Sequence, residues 1–233
     1  MDRSGYAGAH PAAKEPRAVH SSHCRRVGWS AVNRAAPADF DELADLLRPV
    51  DGLSVPWCVA GGWAIDLWVG TVTRSHHDVD LLVARSDQRA VYDHFSDRDI
   101  VKVIPHPEGL VGKGTLVPWD GSRIDLPIHQ VFADSPDGDR IEVLFGEIED
   151  GVWRYRRNPD VSLSLDRLIV TGPTGIPAMA PEVVMLFKAP LQRPWDEADL
   201  VTVVPHLPAD RRVWLVDAIG RSHPTNPWLE RLA

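Results

Sequence analysis

Apolar positions recur at helical spacing at Phe40, Leu43, Leu46 and Leu47, and Pro49 closes the run. Ordered structure is therefore expected from about residue 39, beginning with a short helix. Val55 to Ala60 is a short apolar run bounded by Pro56 and a glycine pair, the pattern of a buried strand. Trp63, Ala64, Leu67 and Trp68 then repeat with the period of an amphipathic helix that stops at Gly70. Val79 to Val83 reads as a second strand, and Asp87 to Phe95 as a polar helix. Further strands are predicted at Ile100–Ile104, Thr115–Trp119, Arg123–Phe132, Arg140–Phe145 and Val152–Tyr155. Asp120-Gly121 and Asp137-Gly138-Asp139 supply turns between them. From Pro181 the period becomes helical, through Val184, Leu186 and Phe187, then Ala198–Val204 and Arg211–Ile219. A mixed α/β half is followed by a helical half, and no internal repeat is visible.

Composition adds boundaries. Residues 1–37 are rich in Ala, Pro, His, Ser and Arg without periodicity, so they are expected to be a disordered tail. His10, His20 and His23 in it match no closed ligand spacing. The remainder divides into a core, 38–157, and a mostly helical C-terminal region, 158–233. Among the 233 residues, no run of about 18 apolar residues appears, which excludes a spanning helix. The charged N-terminus lacks an apolar signal segment, so a cytoplasmic protein is expected, with Cys24 and Cys58 reduced. Acidic residues outnumber basic ones, 33 to 25, for a formal charge of -8. Tight binding to duplex nucleic acid needs a basic face, and none is visible; a small cationic ligand suits the charge better.

The chemistry concentrates between Trp57 and Arg85. Gly61-Gly62 sits at a strand-to-helix junction, where a phosphate can approach backbone without meeting a side chain. The following helix would point free N–H groups and its positive end at that phosphate; an empty tight turn is the plain alternative. In Asp78-Val79-Asp80-Leu81, strand alternation puts both aspartates on one face and the apolar pair on the other. Two such carboxylates repel unless a cation lies between them, and their oxygens suit Mg²⁺. The alternative is a solvated edge strand. The span from Gly62 to Asp78 accommodates one helix and a return turn, so the phosphate turn and the acids can lie side by side. Arg74 either neutralises phosphate charge or is a solvated turn residue.

These residues carry a resemblance. Gly61-Gly62-Trp63, then Thr73-Arg74, then His77-Asp78-Val79-Asp80 resembles the aminoglycoside and lincosamide nucleotidyltransferases of the DNA polymerase β-like superfamily. Trp63 after the glycines matches that branch, where much of the superfamily has Ser. The resemblance implies an α+β fold: a DNA polymerase β-like core of mixed sheet and helices, with a C-terminal helical region. It further implies a metal site of Asp78, Asp80 and a third carboxylate, and transfer of a nucleoside monophosphate from ATP or another NTP to a hydroxyl of a small molecule. Glu142, in Arg140-Ile141-Glu142-Val143-Leu144-Phe145, is the first choice for the third acid, and Asp125 is the competing one. Many relatives carry Asp there. Gly61, Gly62, Trp63, Arg74 and Lys188 are the implied nucleotide contacts, and Asp196 or Asp199 would meet a basic acceptor. The plain alternative for Lys188 to Asp199 is a capped helix with salt bridges. An RNA- or protein-modifying transferase and an inactive nucleotide-binding member are the other readings.

Three motifs mislead. Asp196-Glu197-Ala198-Asp199 spells a helicase box without a phosphate loop, and Gly112-Lys113-Gly114-Thr115 lacks the first glycine that loop requires, because Pro107 stands there. His76-His77 has no further ligand at zinc spacing and reads as turn.

Overall fold

Residues 40–76, 78–106 and 114–233 are described in a computed structural model. The expected tail 1–37, His77, and Lys113 of the apparent phosphate loop lie outside them. In chain order the first elements are α1 (Asp41–Leu46), β1 (Trp57–Val59), α2 (Gly61–Val69), β2 (Val79–Ala84), α3 (Gln88–His94), β3 (Asp99–Ile104), β4 (Thr115–Pro118) and β5 (Gln130–Asp134). Then follow β6 (Arg140–Glu149), β7 (Val152–Tyr155), β8 (Asn158–Ser164), α4 (Leu165–Leu168), β9 (Ile169–Thr171) and β10 (Pro177–Met179). The chain ends in α5 (Pro181–Lys188), α6 (Pro194–Val203), α7 (Ala209–Ser222) and α8 (Trp228–Leu232).

One mixed sheet runs β4-β3-β5-β6-β2-β1-β10-β9, with the β7–β8 hairpin extending from β6. Two pairs are parallel, β2 with β6 and β1 with β10; the others are antiparallel. The alternation of β6 shows why it lies centrally: Ile141, Val143 and Phe145 are buried, beside Val79, Leu81 and Val83 of β2. Each such side chain contributes about 1.5–3 kcal/mol of burial.

The helix after the glycine pair is more enclosed than its period predicts. Trp63, Ala64, Ile65, Asp66 and Leu67 are all buried, and α2 touches both β2 and the C-terminal helices α5 and α6. Gly70 ends it in the left-handed region, φ 89°, where its N–H meets the Asp66 carbonyl at 2.8 Å. Glycine is the residue that adopts this conformation without strain.

Two element predictions need correction. The strand expected over Arg123–Phe132 starts only at Gln130. Pro127 has no N–H for a ladder, and the loop's polar groups are taken by side chains instead. Arg85 donates to the Ile124 and Ile128 carbonyls at 3.2 and 2.9 Å, while Gln88 accepts from the Ile124 N–H. The second correction concerns residues 158–180. The C-terminal region opens with three strands and the four-residue α4, and β10 runs beside β1 in the main sheet; the longer helices follow from Pro181.

Candidate active site

β2 and β6 lie side by side in parallel with Asp80 in register with Glu142. Asp78 precedes β2 and points from the same face. One carboxylate oxygen from each of Asp78, Asp80 and Glu142 lies within 4.8 Å of the others. Asp125 is elsewhere: it sits on the exposed loop before β5, paired with Arg123 at 2.9 Å. The register of two parallel strands therefore brings Glu142 to the aspartates and leaves Asp125 out.

Three carboxyls this close cannot all stay ionised unaided. Burial, then the Asp78 charge, pushes Asp80 up to about 6. Burial, then Asp80 and Asp78, pushes Glu142 up to about 9, and its retained proton bonds to Asp80. Gln130 Nε2 donates to Glu142 Oε1 at 2.6 Å and fixes that side chain. An all-oxygen donor set that holds protons so far above the ordinary carboxylate range fits a hard divalent cation, which would replace the protons. Zinc sites draw on His or Cys nitrogen and sulfur, and neither stands in this trio.

The glycine pair meets the acids directly. Gly61 has φ 63°, and a Cβ there would collide with Oδ2 of Asp80. At Gly62 a Cβ would collide with the Arg74 guanidinium and the His76 ring. Ala60, at the N-cap of α2, provides no capping side chain, so the first N–H groups of the helix stay available beside Asp80. A phosphate held there would be next to the carboxylates.

Trp63 is the third residue of that turn. Its ring is buried and lies 4.3 Å from the His76 ring, so the side chain packs against the loop before Asp78.

Arg74 and Lys188 are engaged within the protein. Arg74 forms a two-point pair with Asp199, at 2.9 and 3.2 Å. The Lys188 ammonium reaches Asp196 at 3.0 Å and Asp199 at 2.9 Å, and Arg193 adds two bonds to Asp196 at 2.8 and 3.2 Å. Asp196 and Asp199 are buried, so these acids join α5 and α6 to the loop before Asp78 and do not face a basic acceptor. The capped, salt-bridged helix is what the structure contains. Lys188 and Arg193 are nevertheless close enough to Asp80 to favour its ionised form. Trp195 is exposed at this margin, with the Arg193 guanidinium 4.9 Å from its ring centroid.

The sequence did not reveal what His76 does. His76 Nε2 lies 2.6 Å from Asp66 Oδ2, and Thr73 donates to the other Asp66 oxygen at 2.5 Å, all beneath the Gly-Gly turn. This network ties the loop carrying Arg74 and Asp78 to α2. An Asp on the apolar face of a predicted helix was the one available signal, and it names no partner. Gln130 gave no signal at all.

The sequence profile of the family described as aminoglycoside-2''-adenylyltransferase matches residues 42–162, just over half of the chain. The crystal structure of ANT(2'')-Ia in complex with adenylyl-2''-tobramycin is similar at a TM-score of 0.51 and 15% identity, covering 77% of this chain and 96% of that one. Lincosamide antibiotic adenylyltransferase LnuA, lincomycin-bound, is similar at a TM-score of 0.46 and 16% identity, covering 73% of this chain and 98% of that one. The α+β arrangement is the DNA polymerase β-like nucleotidyltransferase fold. No curated protein matches the chain.

Proposed function

Because the chain belongs to the aminoglycoside-2''-adenylyltransferase family, we propose that it transfers the nucleoside monophosphate of an NTP, first of all ATP, to a hydroxyl of an aminoglycoside-like small molecule. The observation that carries this reading is the Asp78–Asp80–Glu142 cluster lying directly against Gly61 at the open end of α2. Those three side chains would hold Mg²⁺, which supplies neutralisation of phosphate charge and a lowered pKa for a bound hydroxyl. Gly61, Gly62 and the N–H groups of the first turn of α2, Trp63 included, would hold the β- and γ-phosphates. Glu142 would complete the cation site or receive the acceptor's proton, and Gln130 keeps it aimed.

Arg74 and Lys188 act here through Asp199. Their charges lie beside the phosphate turn while their geometry is fixed by buried acids, so they would raise the local potential without rearranging. The acceptor would approach past Trp195, whose exposed ring offers a face for a sugar. A formal charge of -8 favours a cationic acceptor at long range. Among the described residues no helix is long and apolar enough to cross a membrane. We place the enzyme in the cytoplasm, where ATP and Mg²⁺ are abundant.

The test is incubation with labelled ATP, Mg²⁺ and a panel of aminoglycosides and lincosamides, with Asp80→Asn as control. Labelled antibiotic and pyrophosphate are expected with at least one member and not with the variant. Nucleotide binding without product across the panel would remove the antibiotic acceptor and leave the fold untouched.

A further inference from the structure

A second unbalanced group of charges lies at the other end of β2. Arg85 follows that strand, His129 precedes β5, Arg156 and Arg157 form the turn between β7 and β8, and Phe187 lies on α5. The guanidinium carbons of Arg156 and Arg157 sit 5.8 and 5.7 Å from the centroid of the same Phe187 ring. Arg157 is anchored, donating to the Tyr155 hydroxyl at 3.1 Å and the Phe187 carbonyl at 3.2 Å. Arg85 spends its donors on Glu147 and the carbonyls of Ile124, Ile128 and Phe145. Glu147, the carboxylate of this cluster, is held by Arg85 at 2.6 Å. Half-buried Arg156 lies against the Phe187 ring, and among the described residues the carboxylate that acts on it is Glu147, which Arg85 already holds.

A partly buried cation whose counter-charge is shared with a second guanidinium is unfavourable. Burial, then the Arg157 charge, holds Arg156 down to about 10. Burial, then Arg156, holds His129 down to about 4. The fork of a guanidinium matches a tetrahedral oxyanion, and a doubly charged anion balances two of them.

We propose that Arg156 and Arg157, over the Phe187 ring, form a binding site for a phosphate-class oxyanion, separate from the carboxylate cluster; neutral His129 beside them is turned away, donating its Nδ1–H to the Pro127 carbonyl at 2.9 Å. Arg85 lies five residues beyond Asp80, about 16 Å along β2. The site stands whatever reaction the acids serve. Free inorganic phosphate and a nucleotide's phosphate group present the same oxygens to it.

Calorimetric titration of the full chain with inorganic phosphate, at constant ionic strength, tests the site in wild type, Arg156→Gln and Arg156→Lys. Wild type is expected to bind saturably, and Arg156→Gln to bind at least about tenfold more weakly. Arg156→Lys keeps the charge, loses the fork and is expected to fall between them; it serves alone if Arg156→Gln does not fold. Without phosphate, Arg156→Gln is expected to melt at or above the wild-type temperature, because a partly buried charge with only a shared counter-charge is gone. A merely structural arginine would lower it. Repeating the titration with saturating ATP and Mg²⁺ separates the sources: competition assigns the site to the nucleotide, simultaneous binding assigns it to free phosphate, and both retain the site. Absence of saturable binding by wild type, or equal affinity in wild type and Arg156→Gln, overturns it.

Discussion

Two charged clusters flank the Gly-Gly turn and obey opposite rules. Asp78, Asp80 and Glu142 gather three acids with protons as their own means of coexistence. Asp196 and Asp199, by contrast, are balanced within the protein by Lys188, Arg193 and Arg74. A balanced cluster is already at its minimum and serves as a joint. An unbalanced one is waiting for a charge from outside. Residue type did not separate the two; neighbours did.

The largest expected contrast is in rate. Asp80→Asn should lower nucleotidyl transfer by at least about a thousandfold while leaving the fold intact, read from pyrophosphate release beside a thermal melt. Loss of the fold with loss of rate would make Asp80 a structural residue and erase the distinction. The mirror experiment is Asp199→Asn. It strips Arg74 and Lys188 of a shared buried partner and should cost about 3–5 kcal/mol in denaturant unfolding. A variant as stable as wild type would show that the joint is dispensable.

Smaller effects sharpen the comparison. Gly61→Ala adds a methyl into Asp80 at a positive φ and should cost about 1–3 kcal/mol, with a fall in activity greater than that of any exposed-loop alanine. Retained full activity would disconnect the turn from the acids.

The pH prediction is the most modest in size. Asp80 and Glu142 bind protons more tightly in the fold than in the unfolded chain, so their protons stabilise the metal-free protein. That contribution is complete below their ordinary values of 3.8 and 4.5 and is lost as pH rises through about 6 and then about 9. Added Mg²⁺ should therefore raise the melting temperature more at pH 8 than at pH 5.5, and the difference should shrink in Glu142→Gln. An equal rise at both values would mean that the cation does not compete with these protons.

Much of this was legible in the residues. Strand alternation alone put Asp78 and Asp80 on one face, and Gly61-Gly62 marked the strand-to-helix turn that Gly61's φ of 63° requires. The choice between Glu142 and Asp125 was not legible, since it depends on which strand pairs with β2 and in which register. That is a long-range property. β9 and β10 are three residues each, too short to show a period. The balanced state of Asp199 was hidden for a related reason: its partner Arg74 lies 125 positions away in the chain.

The parallel pairing of Val59 with Ala178 sets an order of events during synthesis. β1 delivers the chain into the Gly-Gly turn, and one of its two flanking strands is made only after nearly the whole sheet has left the ribosome. Contacts of such sequence separation form late. A fragment ending at residue 162, where the family match stops, would carry all three acids yet leave β1 with a bare edge. Such fragments should be sticky and inert, and the strand that rescues them is one that contributes no residue to the chemistry.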